Sequence, residues 1–129
     1  MRTEILENCV AGAFAGTMPF GETVGHMIDE GVEWYSANLL FGVSTHYAAD
    51  GSHQQSKWPN WQVPAIADQY DEAGVIVAIR ASQAGQIKYP EFLQRIARAG
   101  VVYYTVHMQG RKAIYFGRHG DFHIELFPQ

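Results

Sequence analysis

The sequence predicts an α+β fold: two helix-helix-strand-strand(-strand) units, internally duplicated, sharing one mostly antiparallel sheet with helices on one face. Three observations predict it. The stretch GVEWYSANLLFGVSTHYAADG, from Gly31, is echoed by GVVYYTVHMQGRKAIYFGRHG, from Gly100. Each copy is preceded by two segments of helical periodicity. Each then breaks into short runs rich in β-branched and aromatic residues, separated by glycine-containing turns.

In the first copy, TEILENCVAGAF reads as a helix ending before Gly16 and FGETVGHMIDE as a second ending before Gly31. Glycine suits the left-handed residue that closes such helices. Strands follow in VEWYSANLL and VSTHYA, then a turn at Gly51 and a third strand in SHQQS. The segment KWPNWQVPAIAD links the copies, and its prolines and tryptophans predict an ordered loop packed by its own aromatics. In the second copy, Asp68 is placed to cap a helix from Gln69 that runs through VIVAIRAS to Gly85. Asp71 and Glu72 fall in its first turn, where the helix dipole favours acids. Pro90 suits the start of the next helix, and Phe92, Leu93, Ile96 and Ala99 form its apolar stripe. After Gly100, VVYYTVHM, AIYF and DFHIELF read as strands, with QGRK and GRHG as the turns between them. With the Gly31-to-Gly100 offset, Ala15-Gly16 falls on Ala84-Gly85, Glu22 on Glu91, Tyr35 on Tyr104 and Gly51 on Gly120. Such identities at changes of direction are what a diverged duplication keeps. The expectation is a single domain over residues 1–129, with repeats over about 3–56 and 69–127.

Composition narrows the function classes. A chain of 129 residues with 47% hydrophobic content can bury a core. Charged residues make up only 17%, and the net charge is -4. With no Lys/Arg cluster, nothing attracts a phosphate backbone, so nucleic acid is not expected as a partner. No apolar run reaches the roughly 18 residues of a membrane span. The one cysteine, Cys9, excludes an internal disulfide and reads as a small buried hydrophobe; a cytoplasmic location is expected. Glu4 and Glu7 argue against a leader peptide in the first twenty residues.

The run YPEFLQRIARAGVVYYTVHMQGRKAIYFGRHGDFHIELFP, preceded by ASQAGQIKY, carries a family pattern. A helix ends in a Q-x-G-like turn, an aromatic-x-x-Phe start opens the next, AGV precedes a strand, and Glu125 and Pro128 close the pattern. This resembles the YbcV-like family, catalogued as domain of unknown function 1398 and sometimes labelled phage envelope protein. Where such proteins tend to carry Asp in the first strand of the second copy, this chain has His107. The resemblance implies a scaffold and an origin, not a mechanism.

Strand alternation then sorts side chains between the two sheet faces. If Val102, Tyr104, Val106 and Met108 meet the helices, Tyr103, Thr105 and His107 take the opposite face. With Ile114, Phe116, Phe122, Ile124 and Leu126 also directed to the core, Tyr115, His123 and Glu125 join that face. The same sorting sends Trp34, Ser36, Asn38 and His46 there and leaves Glu33 awkwardly on the core side. Aromatic walls with a few convergent polar groups are what a small-molecule pocket needs. A solvated face rich in Thr, Tyr and His for strand propensity alone is the plain alternative.

Three readings follow. The first is a small-molecule-binding protein whose ligand lies on this face against Trp34, Ser36, Asn38, Tyr103, Thr105 and Tyr115. The second is a cofactor-independent acid–base enzyme, a hydrolase, lyase or cyclase, using His107 with His46 or His123 and Glu125. The third is an interaction module, phage-related or a homodimer, packing through exposed aromatics. His107, His123 and Glu125 would form a metal set only in a particular strand register, and no metal is expected. No G-x-G-x-x-G, phosphate loop, G-x-S-x-G, C-x-x-C or H-E-x-x-H occurs, so no cofactor is expected. His119 and His26 read as surface residues, and Glu22 and Glu91 as matched first-turn acids.

Overall fold

The computed structural model describes residues 1–128; Gln129, the last residue of the expected span, lies outside them. Helices α1 (Thr3–Ala15) and α2 (Phe20–Asp29) precede strands β1 (Val32–Asn38), β2 (Val43–Ala48) and β3 (His53–Lys57). The order repeats with α3 (Glu72–Gln83), α4 (Tyr89–Arg98), β4 (Val101–His107), β5 (Lys112–Gly117) and β6 (Phe122–Leu126). All six strands pair antiparallel in the order β3-β2-β1-β4-β5-β6. The α+β class, the repeated unit and the third strand of the first copy are those the sequence predicts.

The copies meet at the β1–β4 seam about a local twofold axis. Ser36 lies opposite its own repeat counterpart Thr105, Tyr35 opposite Val106, and Ala37 opposite Tyr104. Helices cover one face, where Leu6, Leu93, Ile96, Val75 and Val106 are fully buried with Tyr35, Tyr104 and Tyr115. Each buried Leu or Ile contributes about 1.5–3 kcal/mol of hydrophobic stabilisation. Gly16 ends α1 in the left-handed region at φ 75°, its N–H donating to carbonyls of the last turn. Helix α3 starts later than expected, at Glu72, with Asp71 as its cap accepting from the Gly74 N–H at 3.1 Å. The Asp71 N–H donates to Ala99 O at 2.8 Å, which ties residues 69–71 to the end of α4 and keeps them out of the helix. The linker is ordered: Trp58 Nε1 donates to Ser44 Oγ at 2.8 Å and Trp61 Nε1 to Leu39 O at 2.9 Å.

Strand parity differs from expectation, and the differences have local causes. The β1–β2 register shifts between Val32 and Trp34, so Val32 and Tyr35 are both buried and Glu33 is exposed at the irregularity. The matching shift between Val101 and Tyr103 buries Val101 as well as Tyr104. Such bulges change which face an alternating pattern addresses. At the second hairpin, His107 pairs with Lys112 and Tyr104 with Tyr115, which places Ala113 and Tyr115 on the helix side in place of Ile114 and Phe116. Gly117 anchors this register, because a Cβ there would meet Tyr70 Cδ1 at 2.7 Å. Along β6, His123 opposes Tyr115 and Glu125 opposes Ala113, so both also face the helices. Phe122, Ile124 and Leu126 turn outward and are exposed. The β5–β6 corner is thus inverted, apolar outside and polar within.

Candidate functional site

The expected single face divides. Trp34, Ser36, Asn38, Tyr103, Thr105 and His107 share the open face: Trp34 opposes His107, Ser36 opposes Thr105 and Asn38 opposes Tyr103. His46, Tyr115, His123 and Glu125 lie on the other side, against the helices. His46 opposes Tyr35, a core residue, and is 0% exposed. The proposed pairing of His46 with His107 across one pocket is therefore corrected: the sheet separates them. It equally separates His107 from His123 and Glu125, so that metal set is not assembled. Among the described residues, no group of three or more His, Cys, Asp or Glu is placed to hold a metal ion.

The open face is an aromatic surface. Trp34 stacks on Tyr47 at 4.2 Å and on His107 at 5.8 Å between ring centres. His107 Nε2 and Thr105 Oγ1 lie 3.0 Å apart. Asn38 has a structural task, since its Oδ1 accepts from the N–H groups of Leu40 and Phe41 at 2.9 and 3.0 Å in the β1–β2 loop.

The concave site is on the helix side. A half-open cavity of about 870 Å³ lies between the sheet, α1–α2, the α3–α4 connection and the C-terminal segment. That volume falls within the roughly 300–1,000 Å³ of small-molecule pockets. Its floor carries Tyr35, Tyr104 and Tyr115, with Tyr89 reaching in from α4. The Tyr89 and Tyr104 hydroxyls are hydrogen-bonded to each other. His46 is also among the lining residues, and neither of its ring nitrogens has a hydrogen-bond partner or contact with solvent. A groove of similar volume, ≈ 860 Å³, runs between α1, α4 and the Pro59–Gln62 segment, but it is more open and lacks such buried polar groups.

The duplication explains where the space comes from. Thr23 of α2 is the repeat counterpart of Phe92, and Phe20 the counterpart of Tyr89. Phe92 packs its ring on Tyr104 and Tyr115, whereas Thr23 brings only a hydroxyl and a methyl to the cavity lining. Phe20 is 48% exposed and contacts Phe127 at the cavity's outer side, 5.6 Å between ring centres.

Burial sets the charge state. It raises all four phenols above the ordinary tyrosine value, so they remain O–H groups at neutral pH. It pushes the His46 imidazole down to about 4; the Gln54 backbone opposes this without forming a hydrogen bond to the ring. Burial, with Glu22 and Glu30 nearby, also raises the Cys9 thiol, which leaves it a poor nucleophile. Charges sit at the edges: Lys88, Arg111 and Glu125 all border the cavity. Burial alone would lift the Glu125 carboxyl, but Arg80 at 2.7 Å and His123 at 3.1 Å hold it below the usual range. His123 also meets Glu72 at 3.2 Å. The interior thus offers hydroxyls and a neutral imidazole within apolar walls of Met18, Val24, Met27 and Phe92.

Sequence reasoning missed Tyr35, Tyr89, Tyr104 and Thr23 as site residues. The available signal was the Tyr35–Tyr104 identity between copies: a buried phenol needs a partner for its hydroxyl, so a matched buried pair points to a polar centre in the core.

Fold and cavity together define a two-layer α+β protein built by internal duplication, with its concave site between the layers. Residues 16–125 match the family described as "Protein of unknown function (DUF1398)", and the chain belongs to that family. It is similar to Uncharacterized protein Rv2012 of Mycobacterium tuberculosis and Uncharacterized protein Mb2035 of Mycobacterium bovis, each 39% identical over 66 residues. The match covers 51% of this chain and 38% of the length of each of these curated relatives. Among the described residues, no helix is long and apolar enough to cross a membrane.

Proposed function

We propose that the protein binds an uncharged, largely apolar small molecule bearing hydroxyl or carbonyl groups in the helix-side cavity, and not on the open sheet face. The observation that carries this reading is the group of four tyrosines lining one cavity of about 870 Å³ together with apolar side chains from both layers. The tyrosine hydroxyls on the cavity floor can donate to or accept from a ligand hydroxyl or carbonyl. The absence of interior charge favours a neutral molecule, because an ion brought there would lose its hydration uncompensated.

The test restores the ring that the first copy lacks. Thr23→Phe places at α2 what Phe92 places at α4 and puts a ring into the cavity. Titration with Nile red, an uncharged apolar fluorophore, is expected to give saturable binding to the parent chain. Thr23→Phe should weaken that binding at least about tenfold, or about 1.4 kcal/mol, while circular dichroism shows an unchanged fold. Equal binding by the variant, or none by the parent chain, would remove the cavity as the site.

An acid–base reading is favoured by one contact only: Glu125 borders the cavity while its carboxylate meets His123 at 3.1 Å. In that reading His123 and Glu125 move the proton, and neither His46 nor His107 acts as their partner.

A further inference from the structure

We propose that two copies of this chain join edge to edge through β6, extending the sheet across a twofold axis at Ile124. The two ends of the sheet are unlike. Strand β3, HQQSK, is polar, ends in Lys57 and lies against α1. Polar residues and an edge lysine are what discourage strand addition. Strand β6, FHIEL, carries no Lys, Arg or Pro, and its Phe122, Ile124 and Leu126 are 57%, 46% and 66% exposed.

The free edge of β6 is set to accept a strand. Phe127 N donates to Arg111 O at 2.9 Å and Gly117 N donates to Asp121 O at 2.8 Å, so odd-numbered residues here bond inward to β5. Alternation therefore turns the N–H and C=O groups of Phe122, Ile124 and Leu126 outward. An antiparallel copy centred on Ile124 sets Ile124 against its equivalent and Phe122 against Leu126 of the second copy. Every residue in those pairs has its backbone groups directed at the other strand, which allows about six interchain hydrogen bonds.

The side chains are self-complementary in the same register. One face of the joint is wholly apolar. On the other, His123 falls opposite Glu125 of the second copy, in the closely spaced type of pair where side chains are nearest. Sliding the strands by one pair places His123 against His123, or Glu125 against Glu125, which opposes like groups. Helix α3 adds surface beside the joint. Its Glu72 and Arg80 reach His123 and Glu125 at 3.2 and 2.7 Å, so α3 runs along β6. Its Val77, 62% exposed, lies one turn from the exposed Ala73 on this outermost helix. Two such helices would face each other across the axis.

Light scattering coupled to gel filtration is expected to show a concentration-dependent species of twice the 14.4 kDa chain mass. Ile124→Lys, which brings two lysines together at the axis, should raise the dimer dissociation constant at least about tenfold. Ile124→Cys supplies a readout that does not depend on a weakened interface. Opposed residues in a hydrogen-bonded pair stand about 5.5 Å apart at Cα, within disulfide range, so mild oxidation should give a covalent dimer. Gln55→Cys on β3 should not cross-link, and the native Cys9 is buried. A monomer at every concentration together with no cross-link through Ile124→Cys overturns the proposal. So does a dimer that withstands Ile124→Lys, or one that cross-links equally through Gln55→Cys.

Discussion

Lowering the pH from 7 to 4 is expected to remove about 3 kcal/mol of stability through His46 alone. Burial pushes this imidazole from the ordinary 6.5 down to about 4. Between those values the unfolded chain binds a proton at His46 that the folded chain refuses, so the unfolded state gains as the pH falls. The contribution is complete above about pH 6.5, declines through the window and changes no further below about 4. Carboxylates held down by partners, Glu125 beside Arg80 and His123 among them, add their own loss at more acidic pH. Comparison with a variant separates the two. His46→Leu should show a flatter profile between pH 7 and 4 and should be no less stable than the parent at pH 7, since it also removes two nitrogens without partners. The measurement is urea unfolding at each pH. Parallel profiles for parent and variant would mean that His46 is not the sensor.

The second large effect separates two glycines that the duplication made equivalent. Gly31 and Gly100 both close a helix before a strand, with φ of 81° and 99°. Around Gly31 nothing lies within 4 Å of a would-be Cβ, whereas at Gly100 that atom would meet Gln69 O at 2.8 Å and Tyr70 Cα at 3.0 Å. Gly31→Ala should therefore incur only the strain of a left-handed alanine, about 1–2 kcal/mol. Gly100→Ala adds a collision with backbone that cannot rotate aside, for a total of about 3–5 kcal/mol. Denaturant midpoints at constant slope measure both. Equal losses would show that the segment before α3 yields easily, contrary to its hydrogen bond from Asp71 N to Ala99 O at 2.8 Å.

The order of elements was legible because glycines punctuate both copies at matching places and the helices carry clear apolar stripes, as at Phe92, Leu93 and Ile96. The faces were not. Alternation holds only while pairing is regular, and the shifts after Val32 and Val101 each bury one residue more than alternation allows. At β5 and β6 the usual guide, that the greasier set faces the core, fails outright. The hairpin register and the fit of Tyr70 over Gly117 send Ile114 and Phe116 outward and Tyr115 inward. His46 was misplaced for a related reason: nothing in VSTHYA distinguishes the helix-side set of Ser44 and His46 from the open-face set of Val43, Thr45 and Tyr47. The cavity itself follows from a comparison the sequence did permit, Thr23 against Phe92, but its meaning depends on knowing which way both side chains turn.

The seam between β1 and β4 has an evolutionary consequence. Two identical half-length chains meeting there would have been bound to symmetry: any change on one side of the axis would have appeared on the other. Fusion into one polypeptide releases that constraint. One half can keep tightly filled aromatic packing as ballast while the other trades a phenyl ring for a hydroxyl and a tyrosine for a histidine. A single asymmetric chamber then becomes available to selection without loosening the whole assembly.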